Sequence, residues 1–179
     1  MLSPLCALVV MGVTGCGKST VGQAIVDQSG GRLIEGDAFH PAENIEKMRA
    51  GIPLTDDDRA GWLARLGEEM ATAVAAGERP ILTCSALKRR YRDTLRAAVP
   101  ELGFVFLELT PEESAYRVAH RPGHYMPASL VQSQFAALES PVGEPATLAL
   151  DATAPVPELA GQVDAWLRQC GARNLKQPA

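Results

Sequence analysis

The sequence has no apolar run that approaches the roughly 18–20 residues needed to cross a bilayer. Residues 1–17 carry no charged side chain and contain the short apolar run LCALVVM at 5–11, but the basic start of a secretory signal peptide is missing. We therefore expect no membrane partner, and we predict that residues 5–11 form a buried strand.

Cysteine is scarce, and the basic residues are outnumbered. The four cysteines, Cys6, Cys16, Cys84 and Cys170, form no C-x-x-C pair and no cluster with histidine, so we expect no structural zinc site. Scattered thiols of this kind are typical of the reducing cytoplasm, which is the predicted location. The 17 basic and 21 acidic residues give a net charge of −4, which argues against a nucleic-acid partner.

Long linkers and internal repeats are also missing. No stretch rich in proline, glycine or serine divides the 179 residues, and 46% of them are apolar, which is enough for a substantial core. We expect a single domain over residues 1–179. A turn-rich break between two predicted helices makes residues around 117–127 the predicted lid.

Short apolar runs alternate with helical patterns along the whole chain. The runs predict five strands, at 5–11, 32–35, 80–84, 104–109 and 147–150. The segments between them predict helices that start at residue 18 and cover 41–50, 56–76, 87–98, 111–120, 127–139 and 157–170. This alternation favours a three-layer α/β fold with a mostly parallel sheet.

The first strand is followed by a glycine-rich loop, GVTGCGKS at 12–19, which matches G-x-x-x-x-G-K-[ST] and opens a predicted helix. Glycines let backbone N–H groups face a phosphate chain, and the helix N-terminus adds partial positive charge. The motif predicts a nucleoside triphosphate as the ligand, with Lys18 on its β- and γ-phosphates and the Ser19 hydroxyl on Mg²⁺. The predicted nucleotide-binding residues are Gly12, Val13, Thr14, Gly15, Cys16, Gly17, Lys18, Ser19 and Thr20, among which Cys16 only fills space.

No predicted strand ends in the second acidic motif that often accompanies this loop, since the third ends in Thr83, Cys84 and Ser85. The best acidic candidate is Asp37, just after the second strand. Ligands of doubly wound sheets bind outside the carboxyl ends of the strands, so we expect Asp37 near Lys18. It could bind the metal, orient an acceptor hydroxyl or take its proton.

Three further blocks resemble the signature of the gluconate kinase (gluconokinase) family, and together with the generic glycine loop they cover residues 8–141 in order. They comprise GDAFHP at 36–41 with Asn44, Lys47, Met48, Gly51, Pro53, Leu54, Asp56, Asp58, Arg59, Trp62 and Leu63; CSALK at 84–88 with Tyr91, Arg92, Asp93, Leu95 and Arg96; and Arg121, Gly123, His124, Met126, Pro127, Leu130, Ser133, Gln134, Phe135, Leu138 and Glu139.

The resemblance implies a P-loop kinase fold like that of nucleoside monophosphate kinases, with a sheet in order 2-3-1-4-5 and a helical lid. It implies ATP-dependent phosphorylation of D-gluconate at its 6-hydroxyl, a homodimer, and a product that feeds the pentose phosphate or a related sugar-acid pathway.

Gluconate is a polyol with a carboxylate, so its site needs polar side chains and a cation. The matching blocks make His40, Arg59, Lys88, Arg92 and His124 the candidates for binding it, together with Asp37. Lid arginines of this fold neutralise charge on the transferred phosphoryl group. We therefore assign Arg121 to the catalytic set with Lys18 and Asp37, Arg117 to the nucleotide, and Ser19 with Asp37 to the metal.

Each candidate also has a structural alternative. The basic helix around residue 90 could be a solvated face, Asp56, Asp57 and Asp58 could cap a helix, His40 could be structural, and His124 could pack the lid. Trp62 fits a core position. Two other functions remain open from the residues alone: a kinase of the same fold with another acceptor such as shikimate, or a nucleotide-binding regulatory module without an acceptor.

Overall fold

A computed structural model describes residues 4–122 and 127–171. Its centre is one sheet of five parallel strands in the order β2-β3-β1-β4-β5, as expected for the fold class. The strands are β1 (Ala7–Met11), β2 (Arg32–Glu35), β3 (Pro80–Thr83), β4 (Leu102–Glu108) and β5 (Thr147–Asp151).

Helices cover both faces of the sheet, which confirms the three-layer architecture. Helix α3 packs with α4 on one face, and α1 packs with α7 on the other. The helices are α1 (Lys18–Ser29), α2 (Ala42–Arg49), α3 (Asp56–Ala75), α4 (Arg89–Ala98), α5 (Pro111–Ala119), α6 (Ala128–Ala137) and α7 (Val156–Gln169). The expected single domain with a lid at 117–127 stays a prediction, because residues 123–126 lie outside the described part of the chain.

The central strand β1 has the uninterrupted apolar sequence of a strand covered on both faces. All five of its residues are fully buried, with Val9 facing the α3–α4 side and Val10 facing the α1–α7 side. The apolar run at the start of the sequence is thus the middle of the core. No helix within the described residues combines the length and apolarity that a membrane crossing requires.

Two local features differ from the sequence-based expectation. Strand β4 begins at Leu102 rather than at residue 104, because Gly103 pairs with Leu8 and leaves room for the side chains of Leu5 and Trp166. After β2, Gly36–Phe39 form an unpredicted turn of 3-10 helix. This turn carries Asp37.

The start of α3 is held by a capping box and an ion pair. The Thr55 hydroxyl accepts a hydrogen bond from the Asp58 N–H, and the Asp58 carboxylate accepts one from the Thr55 N–H. Lys47 of α2 donates to the same carboxylate at 2.8 Å. The hydrogen bond from Lys47 is the largest cause that lowers the pKa of Asp58 to about 2.

Arg92 lies inside the protein with none of its surface exposed. Its guanidinium donates to the carbonyl oxygens of Ala86, Leu87 and Glu139 and to the carboxylate of Glu144, 2.6 Å away. All of its binding capacity is therefore used within the fold. This contradicts the prediction that Arg92 binds substrate, because its role is to fasten the loop after β3 to the segment after α6.

We expect Arg92→Ala to lower the free energy of unfolding by about 3–5 kcal/mol, because it leaves the Glu144 carboxylate buried with half of its partners removed. Arg89→Ala is the matched control on the same helix, where the side chain is exposed, and it should change stability by less than about 0.5 kcal/mol. Urea unfolding measures both. Equal losses in the two variants would contradict the structural role of Arg92.

The Asp58 carboxylate should make stability depend on pH in acid. Its folded-state pKa of about 2 lies below the ordinary 3.8, so its contribution is complete above pH 3.8 and is lost as pH falls towards 2. Asp58→Asn should therefore lower the melting temperature at neutral pH. The difference in melting temperature between this variant and the unmodified protein should become smaller in acid. Asp57→Asn is the control, because it removes a charge from the same helix turn but does not break the Lys47 contact. A loss of melting temperature at neutral pH as large in Asp57→Asn as in Asp58→Asn would contradict this account.

Candidate active site

The glycine loop joins β1 to α1 in the conformation that its sequence predicts. Gly12, Gly15 and Gly17 have φ values of +148°, +81° and +94°, a region that L side chains rarely adopt. A side chain at Gly12 would also meet the Cys16 sulfur and the Leu107 carbonyl. Cys16 is almost completely buried, which agrees with a space-filling role.

Lys18 is folded back over this loop. Its ammonium group donates to the carbonyl oxygens of Gly12 and Val13 at 3.1 and 3.2 Å, and no carboxylate among the described residues forms an ion pair with it. The charge is therefore held in place by weak neutral partners, which phosphate oxygens can replace.

The outer side of the loop is braced by α5 and α6. Ser114 donates its hydroxyl to the Thr14 carbonyl at 2.7 Å, and Arg117 donates to the Gly15 carbonyl and to the Ala152 carbonyl at 3.1 Å each. The Gln134 side-chain oxygen accepts the Thr14 N–H at 2.7 Å. Arg117, the predicted nucleotide ligand, is thus already engaged with the loop backbone.

Glu35, the last residue of β2, is a site residue that the sequence analysis missed. Its Oε2 accepts hydrogen bonds from the hydroxyls of Ser19, at 2.9 Å, and Thr83, at 2.6 Å. The signal was present, because a carboxylate ends a strand at the edge of the sheet where ligands bind. Asp37, two positions further on, is the acidic residue that the sequence-based prediction had placed at this edge.

Asp37 lies in the turn after β2, and 90% of its side chain is exposed. The turn itself is fixed by contacts with α3. The Trp62 indole N–H donates to the Gly36 carbonyl at 2.8 Å, so this core tryptophan also fixes the turn. The His40 ring stacks on Trp62 with the ring centroids 4.0 Å apart.

The buried His40 ring lies beside Asp37, with its Nε2 3.8 Å from Asp37 Oδ1. The Asn44 amide nitrogen approaches His40 Nδ1 at 3.3 Å as a donor, which places the ring proton on Nε2, towards Asp37. Burial lowers the pKa of His40 below 6.5, so the ring is mainly neutral at pH 7. His40 therefore offers a polar N–H rather than a cation.

Two adjoining cavities open at the carboxyl ends of the strands. The first, here called the loop cavity, has a volume of about 310 Å³. Among the residues predicted for the site, it is lined by Thr14, Gly15, Gly17, Lys18, Ser19, Thr20, Asp37, His40, Arg59, Arg117 and Arg121. The rest of its lining consists of Glu35, Met48, Thr83, Ser85 and Gln134. The second, the side cavity, has about 190 Å³ and lies between the ends of α2, α3, α4 and α6. Met48, Arg59 and Gln134 line both cavities.

The side cavity contains a cluster of charged groups around Asp56. The Asp56 carboxylate accepts hydrogen bonds from the Tyr91 hydroxyl, from Lys88 at 3.0 Å and from Arg90 at 2.8 Å. The bonds from Tyr91 and Lys88 lower the pKa of Asp56, and burial together with this carboxylate raises the pKa of Tyr91 to about 12.

Arg59 differs from Lys88 because its charge is not neutralised. Its guanidinium lies over the Tyr91 ring, 5.4 Å from the centroid, and no carboxylate within residues 4–122 and 127–171 pairs with it. Of the other substrate candidates, Lys88 lines only the side cavity, and His124 lies outside the described residues.

The sheet order, the glycine loop at the start of α1, and Lys18 and Ser19 beside acidic residues define a P-loop kinase fold. A family model described as an AAA domain matches residues 8–145. The solved structure of a Mycobacterium tuberculosis APS kinase has a TM-score of 0.64 at 18% identity, covers 93% of this chain and 99% of its own, and shows the fold alone.

Sequence relatives are more specific. A gluconokinase of Gluconobacter oxydans is 50% identical over 134 residues, which are 75% of each chain, and the thermosensitive gluconokinase of Escherichia coli is 42% identical over 135 residues, 75% of this chain and 72% of its own. The crystal structure of a gluconokinase from Sinorhizobium meliloti is 49% identical with a TM-score of 0.83 and covers 94% of both chains. The chain belongs to the gluconokinase family.

The turn that carries Asp37 should tolerate no side chain at Gly36. A Cβ there would collide with the Thr83 carbonyl oxygen on the neighbouring strand, which is backbone and has no freedom to move aside. We expect Gly36→Ala to lower the free energy of unfolding by about 1–3 kcal/mol. Gly61→Ala is the control, since the exposed α3 position has open space and should gain about 0.5–1 kcal/mol. Unchanged stability in Gly36→Ala would show that the turn is not confined by β3.

Proposed function

We propose that this protein transfers the γ-phosphoryl group of Mg·ATP to the 6-hydroxyl of D-gluconate and releases ADP and 6-phosphogluconate. The observation that carries the proposal is one cavity in which Lys18 and Ser19 of the glycine loop lie with Asp37, and which shares Met48, Arg59 and Gln134 with a second cavity that contains cations. Membership of the gluconokinase family supports gluconate as the acceptor.

The glycine loop supplies the nucleotide site. Its N–H groups and the start of α1 would hold the phosphates of ATP, since three glycines open the backbone and the helix end favours negative charge. Lys18 would move its ammonium group from the Gly12 and Val13 carbonyls to the β- and γ-phosphates.

The residues next to the loop fit a magnesium ion. The Ser19 hydroxyl and the Asp37 carboxylate are oxygen donors on the same cavity, and Glu35 adds a second carboxylate in contact with Ser19. The described residues contain no group of three His, Cys, Asp or Glu side chains that could hold an ion unaided. That agrees with magnesium held by one or two side chains, nucleotide phosphates and water. When bound, Mg²⁺ neutralises charge on the β- and γ-phosphates.

Asp37 is the group for the acceptor hydroxyl. Its exposed carboxylate would accept the hydrogen bond of the 6-hydroxyl and either orient it or take its proton as the oxygen attacks the γ-phosphorus. The His40 N–H directed at Asp37 would keep that carboxylate facing the cavity. Catalysis would come from positioning and from charge stabilisation rather than from a covalent intermediate.

The gluconate carboxylate would bind Arg59. This cation lines both cavities and has no carboxylate partner among residues 4–122 and 127–171, whereas Lys88 is already paired with Asp56. A half-buried cation without a carboxylate partner among the described residues disfavours acceptors that lack a negative group, such as glucose. Arg121, exposed at the loop cavity, would approach the transferred phosphoryl group, and Arg117 would hold the loop beneath it.

We further propose a cytoplasmic homodimer without membrane or nucleic-acid partners, whose product enters the pentose phosphate or a related pathway. The free cysteines and the negative net charge support the location and the lack of nucleic acid. The roles of His124 and of a lid at 117–127 stay predictions.

The test is coupled ADP release with Mg·ATP and either D-gluconate, glucose, shikimate or no acceptor. We expect a rate that depends on gluconate, that Asp37→Asn lowers by about 10²–10⁴-fold and that Arg121→Ala lowers by about 10³-fold. Asp93→Asn and Arg89→Ala, on the exposed side of α4, are matched controls that should keep the full rate. A rate with shikimate alone would overturn gluconate as substrate, and no rate with any acceptor would favour a nucleotide-binding module.

A further inference from the structure

Gln134 of α6 stands at the junction of the loop cavity and the side cavity. Met48 and Arg59 share this position, but Met48 has no hydrogen-bonding group comparable to an amide, and Arg59 carries the charge assigned above to the carboxylate. Gln134 is therefore the neutral polar side chain that faces both the nucleotide loop and the space for an acceptor.

One end of the Gln134 amide is fixed by the glycine loop. A backbone N–H only donates, so the Thr14 N–H at 2.7 Å requires the side-chain oxygen Oε1 on that side. The Thr14 carbonyl oxygen accepts a hydrogen bond from the Ser114 hydroxyl, so both backbone groups of Thr14 are hydrogen-bonded. The loop thereby sets the orientation of the amide.

The other end of the amide has no hydrogen-bond partner in the described part of the chain. With Oε1 on Thr14, the Nε2 group is the opposite branch of the amide, and none of the residues in 4–122 and 127–171 accepts a hydrogen bond from it. It carries two N–H donors, and a polyol offers an oxygen acceptor on each carbon. Nε2 and Oε1 are bonded to the same carbon, so the Nε2 group lies next to the glycine loop, on the wall that the two cavities share.

We propose that Gln134 binds the acceptor through Nε2 at the hydroxyl adjacent to the one that is phosphorylated, the 5-hydroxyl of gluconate, while Oε1 stays on Thr14. The same amide then aligns the acceptor with the nucleotide loop. The inference rests on the proposed function, since it assumes gluconate as the acceptor. The competing explanation is that Gln134 only braces the loop.

The experiment crosses two variants with two acceptors. Gln134→Met removes both hydrogen bonds at similar volume, and Gln134→Glu keeps an oxygen for Thr14 but has no N–H donor. Each is assayed with D-gluconate and with 5-deoxy-D-gluconate, and KM for ATP is measured separately. Gln132→Met and Gln132→Glu are matched controls at an exposed position of the same helix.

For the unmodified protein, we expect kcat/KM to fall about 10-fold when gluconate is replaced by the 5-deoxy analogue, the value of one hydrogen bond. In both Gln134 variants, kcat/KM for gluconate should be about 10-fold lower than in the unmodified protein. Replacing gluconate by the 5-deoxy analogue should lower kcat/KM of these variants by less than a further factor of about 2, because they no longer form the hydrogen bond to the 5-hydroxyl. The Gln132 variants should keep the full discrimination.

The proposal would be overturned if replacing gluconate by the 5-deoxy analogue lowered kcat/KM as much in the Gln134 variants as in the unmodified protein. So would variants that raise KM for ATP while kcat/KM for gluconate is unchanged, as bracing alone requires. Failure of the unmodified protein to phosphorylate gluconate at all would overturn the proposed function, and the role of Gln134 with it.

Discussion

The backbone conformation of the glycine loop is the constraint on which the rest of the site depends. Its positive φ angles require glycine at positions 12, 15 and 17. Its carbonyl oxygens accept hydrogen bonds from Lys18 on one side and from Ser114 and Arg117 on the other. The loop therefore needs no ligand to keep its shape. A preformed loop lowers the ordering cost of nucleotide binding and gives the acceptor groups a fixed reference.

The carboxyl ends of β2 and β3 set the second half of the site. Thr83 binds Glu35 through its hydroxyl, and its carbonyl leaves room only for a glycine at position 36, so the turn that bears Asp37 is pressed against β3. Trp62 and His40 support that turn from the α3 side. The two carboxylates therefore have different environments. Glu35 accepts hydrogen bonds from the hydroxyls of Ser19 and Thr83, whereas the Asp37 carboxylate is exposed.

Local patterns explain why much of the fold was predictable. The glycine loop is a contiguous motif, and the buried strands are contiguous apolar runs, so both could be recognised from neighbouring residues. The strand order, by contrast, came from family resemblance, because hydrophobic periodicity carries no information about which strands pair. The predicted β4 began too late because Gly103 does not look like a strand residue on its own. Its place in the strand depends on packing against Trp166, which is far away in the chain.

The site residues show the same limit. Lys18, Ser19 and Asp37 follow strands directly, and the expectation that they share one cavity is confirmed. Arg92 was misassigned because its ion-pair partner, Glu144, is 52 positions away and only the folded chain shows the contact. Gln134 reaches Thr14 across 120 positions, and Glu35 was passed over in favour of its exposed neighbour.

The most direct test of the account is a crystal structure with Mg²⁺, a non-hydrolysable ATP analogue and D-gluconate. We expect Lys18 Nζ to leave the Gly12 and Val13 carbonyls for the phosphates, and the 6-hydroxyl to lie within hydrogen-bonding distance of Asp37 and in line with the γ-phosphorus. Gluconate bound away from Asp37, or Lys18 still held by the loop carbonyls beneath a bound nucleotide, would contradict the claim that the loop cavity is where phosphoryl transfer takes place.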